Sequence, residues 1–310
     1  MRMLSEVLQE QYGEKVYKLS LSSGCTCPNR DGTLGVGGCA FCSEGGSGDF
    51  AAALAPIDVQ LEDAKARIRR KTDARKFIAY FQSFTNTYGD AARLETLYRT
   101  AMEPDEIVAL SLGTRPDCLG EDVMAMLLRL NQRKPVWIEL GLQTVHDETA
   151  ERMHRGYPTA VFADAYRRLK ETGLTVIVHV IFGLPGESRD MMLDTVRCLA
   201  ELSPPPDGVK LQMLHVMKGT ELGRQYEQTP FPLLSLAEYA ELIADSVAIL
   251  PETVVIHRLT GDAPGPLLLA PEWTRNKKRV LNTIHRTLRE RLPGDFCISP
   301  AVFDRSGQNG

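Results

Sequence analysis

Cys25-Thr-Cys27-Pro-Asn-Arg-Asp-Gly-Thr-Leu-Gly-Val-Gly-Gly-Cys39-Ala-Phe-Cys42-Ser43 is the stretch on which the reading of this chain turns. Cys27, Cys39 and Cys42 lie close enough in sequence to converge on one metal centre, and three thiolates can hold an iron–sulfur cube that leaves one iron without a protein ligand. An open iron is a place for chemistry. The glycines at 32, 35, 37 and 38 allow the backbone conformations that a wrap around a bulky group needs. Counting Cys25 as well turns the run into Cys25-x-Cys27 and Cys39-x2-Cys42, the spacing of a closed, structural four-thiolate zinc site. Spacing alone leaves both readings open. Zinc staples usually serve small units that lack a core, and 310 residues with 43% hydrophobic content can pack without one.

Composition bounds the rest. With 25% charged residues and a formal net charge of -4, the chain is of globular type. The expectation is a single domain over residues 1–292 with the cysteine loop at 23–48, and a tail at 293–310 that frays at its end. No run reaches the ~20 apolar residues that a membrane-spanning helix needs. Carboxylates interrupt the opening residues where a secretory peptide carries its apolar centre, so a cytoplasmic location is expected. There, seven cysteines read as thiols and metal ligands before they read as a disulfide framework. Cys198 reads as a small buried hydrophobe.

Short, often β-branched apolar runs recur at Val16 to Leu21, Phe77 to Phe81, Ile107 to Leu112, Val136 to Leu142, Thr175 to Phe182, Val209 to Leu214 and Thr253 to Ile256. Each has the length and composition of a buried strand. Amphipathic stretches lie between them, at Ile57 to Lys71, Ala91 to Met102, Asp122 to Leu130, Ala160 to Glu171, Met191 to Leu202 and Leu236 to Leu250. That alternation, with near-continuous apolar strands, predicts a parallel sheet covered on both faces. No Gly-x-Gly-x-x-Gly opens the first helix, which favours a barrel over a doubly wound dinucleotide fold. In a barrel the working residues stand at the carboxyl rim of the strands. Reading those ends in order gives the cysteine loop, Gln82 to Asn86, Gly113 to Asp117, Glu139 to Gln143, Gly183 to Glu187, His215 with Lys218, and Arg258 to Asp262. His179, inside an apolar strand, reads as a core residue.

Eight blocks carry a resemblance: Cys27-Pro-Asn-Arg-Asp-Gly32, Gly38-Cys39-Ala-Phe-Cys42-Ser43, Gly46-Ser-Gly-Asp-Phe50, Tyr80-Phe-Gln-Ser-Phe-Thr-Asn-Thr-Tyr88, Gly113-Thr-Arg-Pro-Asp-Cys118, Gly141-Leu-Gln143, Phe182-Gly-Leu-Pro-Gly-Glu187 and Arg258-Leu-Thr-Gly-Asp-Ala-Pro264. In that order, from about Lys18 to about Lys278, the chain resembles radical S-adenosylmethionine (radical SAM) enzymes. The branch is the one that contains the Elongator catalytic subunit, with its small YhcC/YtqA-type members. The resemblance implies an α/β fold, a partial TIM-type (β/α)6 barrel with an N-terminal cluster-binding loop and a C-terminal extension. It implies a [4Fe-4S] cluster held by Cys27, Cys39 and Cys42, with Cys25 outside the triad. S-adenosylmethionine would chelate the fourth iron and be cleaved reductively to a 5′-deoxyadenosyl radical, with electrons from a donor such as flavodoxin or ferredoxin. For the cofactor it implies contacts from Gln82, Ser83 and Thr85 to the methionine moiety and from Gln143 to the ribose. Glu139 either joins Gln143 or pairs with Arg115, and Gly183 approaches the adenine. Arg258, Asp262 and His215 are the candidates for work on the substrate.

The same resemblance implies a transfer RNA substrate, the wobble uridine, whose 5-carboxymethylaminomethyl side chain would become 5-aminomethyl. The acidic net charge lends this no support, though two basic runs, Lys65 to Lys71 with Arg75 and Lys76, and Arg275 to Arg279 with Arg286, Arg289 and Arg291, could meet phosphates. Two alternatives stand beside it. One is a coproporphyrinogen-dehydrogenase-like or haem-handling radical enzyme, and the other is a zinc-stapled RNA-binding protein without catalysis.

Overall fold

The computed structural model describes residues 1–46 and 48–292; the tail expected at 293–310 lies outside the described residues. In chain order the elements are β1 (Arg2–Met3), α1 (Leu4–Tyr12), β2 (Val16–Leu21), α2 (Ile57–Arg69), β3 (Lys76–Phe81), α3 (Ala91–Met102), β4 (Ile107–Thr114), α4 (Glu121–Asn131), β5 (Val136–Gln143), α5 (Asp147–Arg152), α6 (Thr159–Glu171), β6 (Thr175–Phe182), α7 (Arg189–Glu201), β7 (Gly208–Met213), β8 (Val216–Met217), α8 (Glu221–Gln228), α9 (Leu236–Ile249), β9 (Val255–Arg258), β10 (Leu268–Ala270) and α10 (Lys277–Arg291). Several helices begin where a side chain satisfies a free amide: Asp90 accepts from Arg93 N at α3, Ser188 from Met191 N at α7, and Ser235 from Glu238 N at α9.

β1 to β7 and β9 form one parallel sheet in the order β1-β9-β7-β6-β5-β4-β3-β2, and β8 pairs antiparallel with β10 beside it. The sheet is curled. β3 and β7 are four strand spacings apart, roughly 19 Å if flat, yet Lys210 Nζ of β7 donates to Tyr80 Oη of β3 at 2.8 Å. Their side chains meet only because the strands wrap around a lumen. The outer face carries Phe77, Ala79, Phe81, Leu110, Leu112, Ile138, Leu140, Val176 and Val178, and packs in one apolar cluster with the helices, including Tyr239 of α9 and Ile284 of α10.

The lumen face is layered, because side chains alternate along each strand. Ile78, Ala109, Trp137 and Ile177 close the bottom against Leu8 of α1. Two residues further along lie Tyr80, Ser111, Glu139 and His179, joined by Lys18 of β2 and Lys210 of β7. The expected strands and six expected helices are present within one or two residues of their predicted bounds. The lumen side of those strands differs from the expectation of near-continuous apolar runs: one polar residue per strand is invisible in a run's average, but six strands bring theirs to one place.

Candidate active site

Above the polar layer, the strand ends and the cysteine loop enclose a cavity of about 140 Å³. Cys27, Cys39 and Cys42 all line it. Cys25 does not: it is buried, lines a different cavity and has Arg93 Nη2 3.7 Å from its Sγ. The loop is held in its wrap by its own backbone. Arg30 N and Asp31 N donate to Cys27 O at 2.8 and 3.2 Å, Gly38 N to Asn29 O at 2.8 Å, and Cys42 N to Cys39 O at 2.9 Å. Gly38 sits at φ 88°, and a Cβ there would stand 2.7 Å from Arg30 Nε, so glycine is what lets the Arg30 side chain cross the loop to donate to Cys42 O at 3.2 Å. Asn29 Nδ2 points a donor at Cys39 Sγ from 3.7 Å.

The Cys39 thiol is pushed well above its ordinary pKa by its hydrogen bond with Cys42, by burial and by the Cys42 and Cys27 charges, with Arg115 pulling the other way. Clustered thiols of this kind are strained as free groups, and a metal relieves them by displacing protons. Among the described residues no three His, Cys, Asp or Glu side chains converge as a single ion requires. A cube places one thiolate on each of three irons, and three cysteines line this cavity while Cys25, which a four-thiolate zinc site would need, lines another.

The remaining walls carry unspent hydrogen-bonding capacity. Thr85, among the residues of the cavity wall, is fully buried, and its Oγ1 has no partner among the described residues. Gln143 stands in the left-handed region at φ 64°, and so does Phe84 at φ 61°; both line the cavity. Such conformations cost about 1–3 kcal/mol and persist where surroundings enforce them. Gly141 makes room for the Gln143 amide, since a Cβ there would lie 2.7 Å from Nε2. Tyr157 Oη lies 3.0 Å from Gly141 O and 3.2 Å from Gln143 Oε1, which share its single proton. Gln82 lines the cavity with Oε1 accepting from Tyr80 Oη at 2.6 Å.

Several expected residues fall elsewhere. Ser83 is not on this wall and donates at 3.5 Å to Gly48 O, and the Gly183 N–H meets Met192 Sδ at 3.0 Å. Arg115 lines the cavity, but its guanidinium is spent on Asp117 at 2.9 and 2.6 Å and on Arg155 O at 2.9 Å. It therefore does not pair with Glu139. Glu139 is buried and accepts from Lys18 Nζ at 2.6 Å and Ser111 Oγ at 2.8 Å on one oxygen, and from His179 Nε2 at 2.9 Å and Lys210 Nζ on the other. A carboxylate offers about four lone-pair sites, so none is left for a ribose. Burial alone would raise this carboxyl; Lys18, Lys210 and His179 outweigh it and hold Glu139 well below the usual range. His179 is lowered to about 4 by burial and the Lys210 charge, so its neutral ring donates through Nε2. It lines the cavity and is not the core residue its strand suggested.

A second cavity of about 610 Å³ adjoins the first, sharing Phe41, Gln82, Ile181 and Gln212. Its volume lies within the ~300–1,000 Å³ of small-molecule sites. His215, Arg258 and Asp262 line it, as do Lys18, Tyr80, Lys210 and His257, which strand-end reasoning missed. Arg258 Nη2 meets Asp262 Oδ2 at 2.5 Å, and Lys277 Nζ adds 2.7 and 2.9 Å contacts to the same carboxylate. His215 is lowered to about 4, chiefly by burial. The signal that could have found the lysines is an isolated cation at a lumen-facing position of a strand. Of the basic runs, Lys65 is buried against Glu62 and Glu106 and cannot reach a phosphate, while Arg275 and Arg291 are engaged by carboxylates of their own chain.

A parallel, curled half-barrel with a three-cysteine loop over its carboxyl rim defines a class of radical enzyme. Residues 24–199 match the model of the radical SAM superfamily, and residues 206–290 that of the radical SAM C-terminal domain. The chain belongs to the radical SAM superfamily and is an enzyme of that class. It is 42% identical over 285 residues to the uncharacterized protein YtqA of Bacillus subtilis, covering 92% of this chain and 88% of YtqA. It is 37% identical to protein YhcC of Escherichia coli, covering 91% and 90%. A tRNA uridine(34) acetyltransferase of Methanocaldococcus jannaschii is 31% identical over 164 residues, 52% of this chain but 30% of that protein. Among solved structures, archaeal Elp3 of Methanocaldococcus infernus matches with a TM-score of 0.68 at 19% identity over 89% of this chain and 63% of that one. Coproporphyrinogen III oxidase of Escherichia coli matches at 0.52 and 17%, over 80% and 56%; a likeness of that kind shares the fold, and the haem-handling alternative has nothing further behind it. No helix among the described residues is long and apolar enough to cross a membrane.

Proposed function

We propose that this enzyme modifies the wobble uridine of transfer RNA, converting a 5-carboxymethylaminomethyl to a 5-aminomethyl side chain, in the cytoplasm. The observation that carries the reading is the pair of adjoining cavities: a thiol-lined pocket and, beside it, a space of about 610 Å³, suited to one flipped-out nucleoside. Kinship with a tRNA uridine(34) acetyltransferase over 52% of this chain supports the same substrate class. Cys27, Cys39 and Cys42 would hold the [4Fe-4S] cluster, and Gln82, Thr85, Gln143 and Arg115 would border S-adenosylmethionine. When bound, the two groups supply a 5′-deoxyadenosyl radical for hydrogen-atom abstraction, given an electron from a carrier such as flavodoxin or ferredoxin.

The chain's own part is positioning and exclusion of water. The Thr85 hydroxyl and the Gln143 amide offer the polar contacts that would orient the cofactor, Gly141 keeps the wall thin, and Phe41 and Ile181 separate the cofactor from the substrate space. Arg258, with Asp262 beside it, and neutral His215 would face the nucleoside. Comparative nucleoside analysis of transfer RNA from cells with and without the gene tests the proposal. Accumulation of the 5-carboxymethylaminomethyl nucleoside in the deletion strain is the expected result, and an unchanged nucleoside profile removes transfer RNA as the substrate.

A further inference from the structure

The floor of the larger cavity has donors to spare, and its acceptors are few: Glu139 and the neutral ring of His257, whose Nδ1 has no partner among the described residues. Lys18 Nζ has three protons and gives one to Glu139 Oε1; its other neighbours are the faces of Tyr80, 4.4 Å to the centroid, and Trp137, 5.8 Å. Lys210 Nζ gives one to Tyr80 Oη at 2.8 Å and one to Glu139 Oε2, which leaves a third. Both lysines line the cavity. The one carboxylate among them, Glu139, already accepts four hydrogen bonds, and the Tyr80 hydroxyl proton is directed at Gln82 Oε1 at 2.6 Å. The other carboxylates of the cavity lining are engaged elsewhere, Asp49 by Ser43 and Asp262 by Arg258 and Lys277, so Lys18 and Lys210 share one saturated carboxylate at the bottom of a partly enclosed space, where charge is poorly screened.

We infer that Lys18 and Lys210 form an anion subsite that receives a carboxylate of the substrate. The subsite lies two residues below the rim layer on each strand and opens into the same cavity as His215 and Arg258. A substrate whose reacting carbon faces the thiol pocket can thus have its acidic end reach the floor. Lys210 is held well below the usual lysine range by burial, against the pull of Glu139, with Lys18 and Arg258 as cationic neighbours. A second negative charge is what relieves that strain. The identification of the carboxylate with that of a 5-carboxymethylaminomethyl group rests on the transfer RNA reading; the subsite itself does not.

The test separates the two. Holoprotein with its cluster and S-adenosylmethionine is titrated calorimetrically with 5-carboxymethylaminomethyluridine and with its methyl ester, which differ in one charge. The acid binds roughly tenfold or more tighter than the ester, and Lys18→Met and Lys210→Met each erase most of that difference. Equal affinity of acid and ester, or a preference that survives both substitutions, overturns the assignment for this substrate. In the unsubstituted holoprotein, acetate is then titrated while the lysine 13Cε resonances are followed. Saturable shifts at Lys18 and Lys210 establish the anion subsite even if transfer RNA proves not to be the substrate, and absent shifts remove it whatever the nucleoside analysis shows.

Discussion

Two parts of the carboxyl rim differ in how their polar groups are spent. At the end of β9, Arg258, Asp262 and Lys277 form a closed ion-pair set with distances of 2.5 to 2.9 Å. At the ends of β3 and β5, the Thr85 hydroxyl is buried without a partner and Gln143 holds a left-handed backbone. The first arrangement braces loops with or without a ligand. The second is costly unless something fills it, because a buried unsatisfied hydroxyl forfeits about 1–3 kcal/mol of hydration. The contrast locates a ligand by what its absence leaves unpaired, and the floor lysines extend the same logic below the rim.

The largest effect expected is at the cysteine loop. Cys27→Ala, Cys39→Ala and Cys42→Ala each lose the iron and all reductive cleavage of S-adenosylmethionine, while circular dichroism stays native because these three cysteines are not members of the apolar core. Cys25→Ala keeps its iron; equal loss in that variant would make four thiolates of three and revive the zinc-type geometry.

Next comes the polar layer beneath. Glu139→Gln leaves two lysines without their counter-charge and should cost about 3–5 kcal/mol of stability. The Glu139 carboxyl is depressed in the fold, so its contribution is present above the unfolded value near pH ~4.3 and is lost as the pH falls through the folded value. Urea midpoints measured down the acid range should therefore fall more steeply for the native chain than for Glu139→Gln, and parallel curves would contradict the buried ion-pair reading.

The rim comparison is broken or kept by a smaller pair of changes. Thr85→Val should raise the melting temperature, since it removes a buried hydroxyl that bonds to nothing, yet weaken S-adenosylmethionine binding about two- to tenfold. Arg258→Ala should do the reverse to the cofactor: binding stays, substrate turnover drops, and Asp262 retains Lys277. A fall in stability without loss of cofactor affinity in Thr85→Val would place the hydroxyl on the structural side of the comparison. Smallest is the exposed face of α10, where Lys278, Arg286 and Arg289 are exposed and have no ion pair among the described residues. Replacing all three by Ala should lower the salt slope of transfer RNA binding by about 2 to 3 in logarithmic terms and leave S-adenosylmethionine cleavage alone.

Periodicity and the three cysteines carried much into view. The strands from Val16 to Leu21 through Thr175 to Phe182, and the helix Ala91–Met102, lie where the alternation of apolar runs puts them, because a buried parallel strand and an amphipathic helix leave a local signature. The eight blocks in order pointed to the superfamily that residues 24–199 match. Strand-end reasoning also brought Gln82, Thr85, Gln143, His215, Arg258 and Asp262 to cavity walls, since a rim position follows from where a strand stops. It placed Ser83 and Gly183 there too, and neither lines these two cavities, because which side of a turn a residue presents depends on the turn's torsions.

What the sequence by itself determined is thus the succession of strands and helices, the thiol loop and the enzyme class, all of them encoded in neighbours along the chain. Only the tertiary structure decided that Glu139 meets Lys18, Lys210 and His179 instead of Arg115, and that Lys65 is buried against Glu106. Those pairings join residues up to 121 positions apart. They exist because the sheet curls, and the curl is a property of all the strands together that no single stretch of residues records.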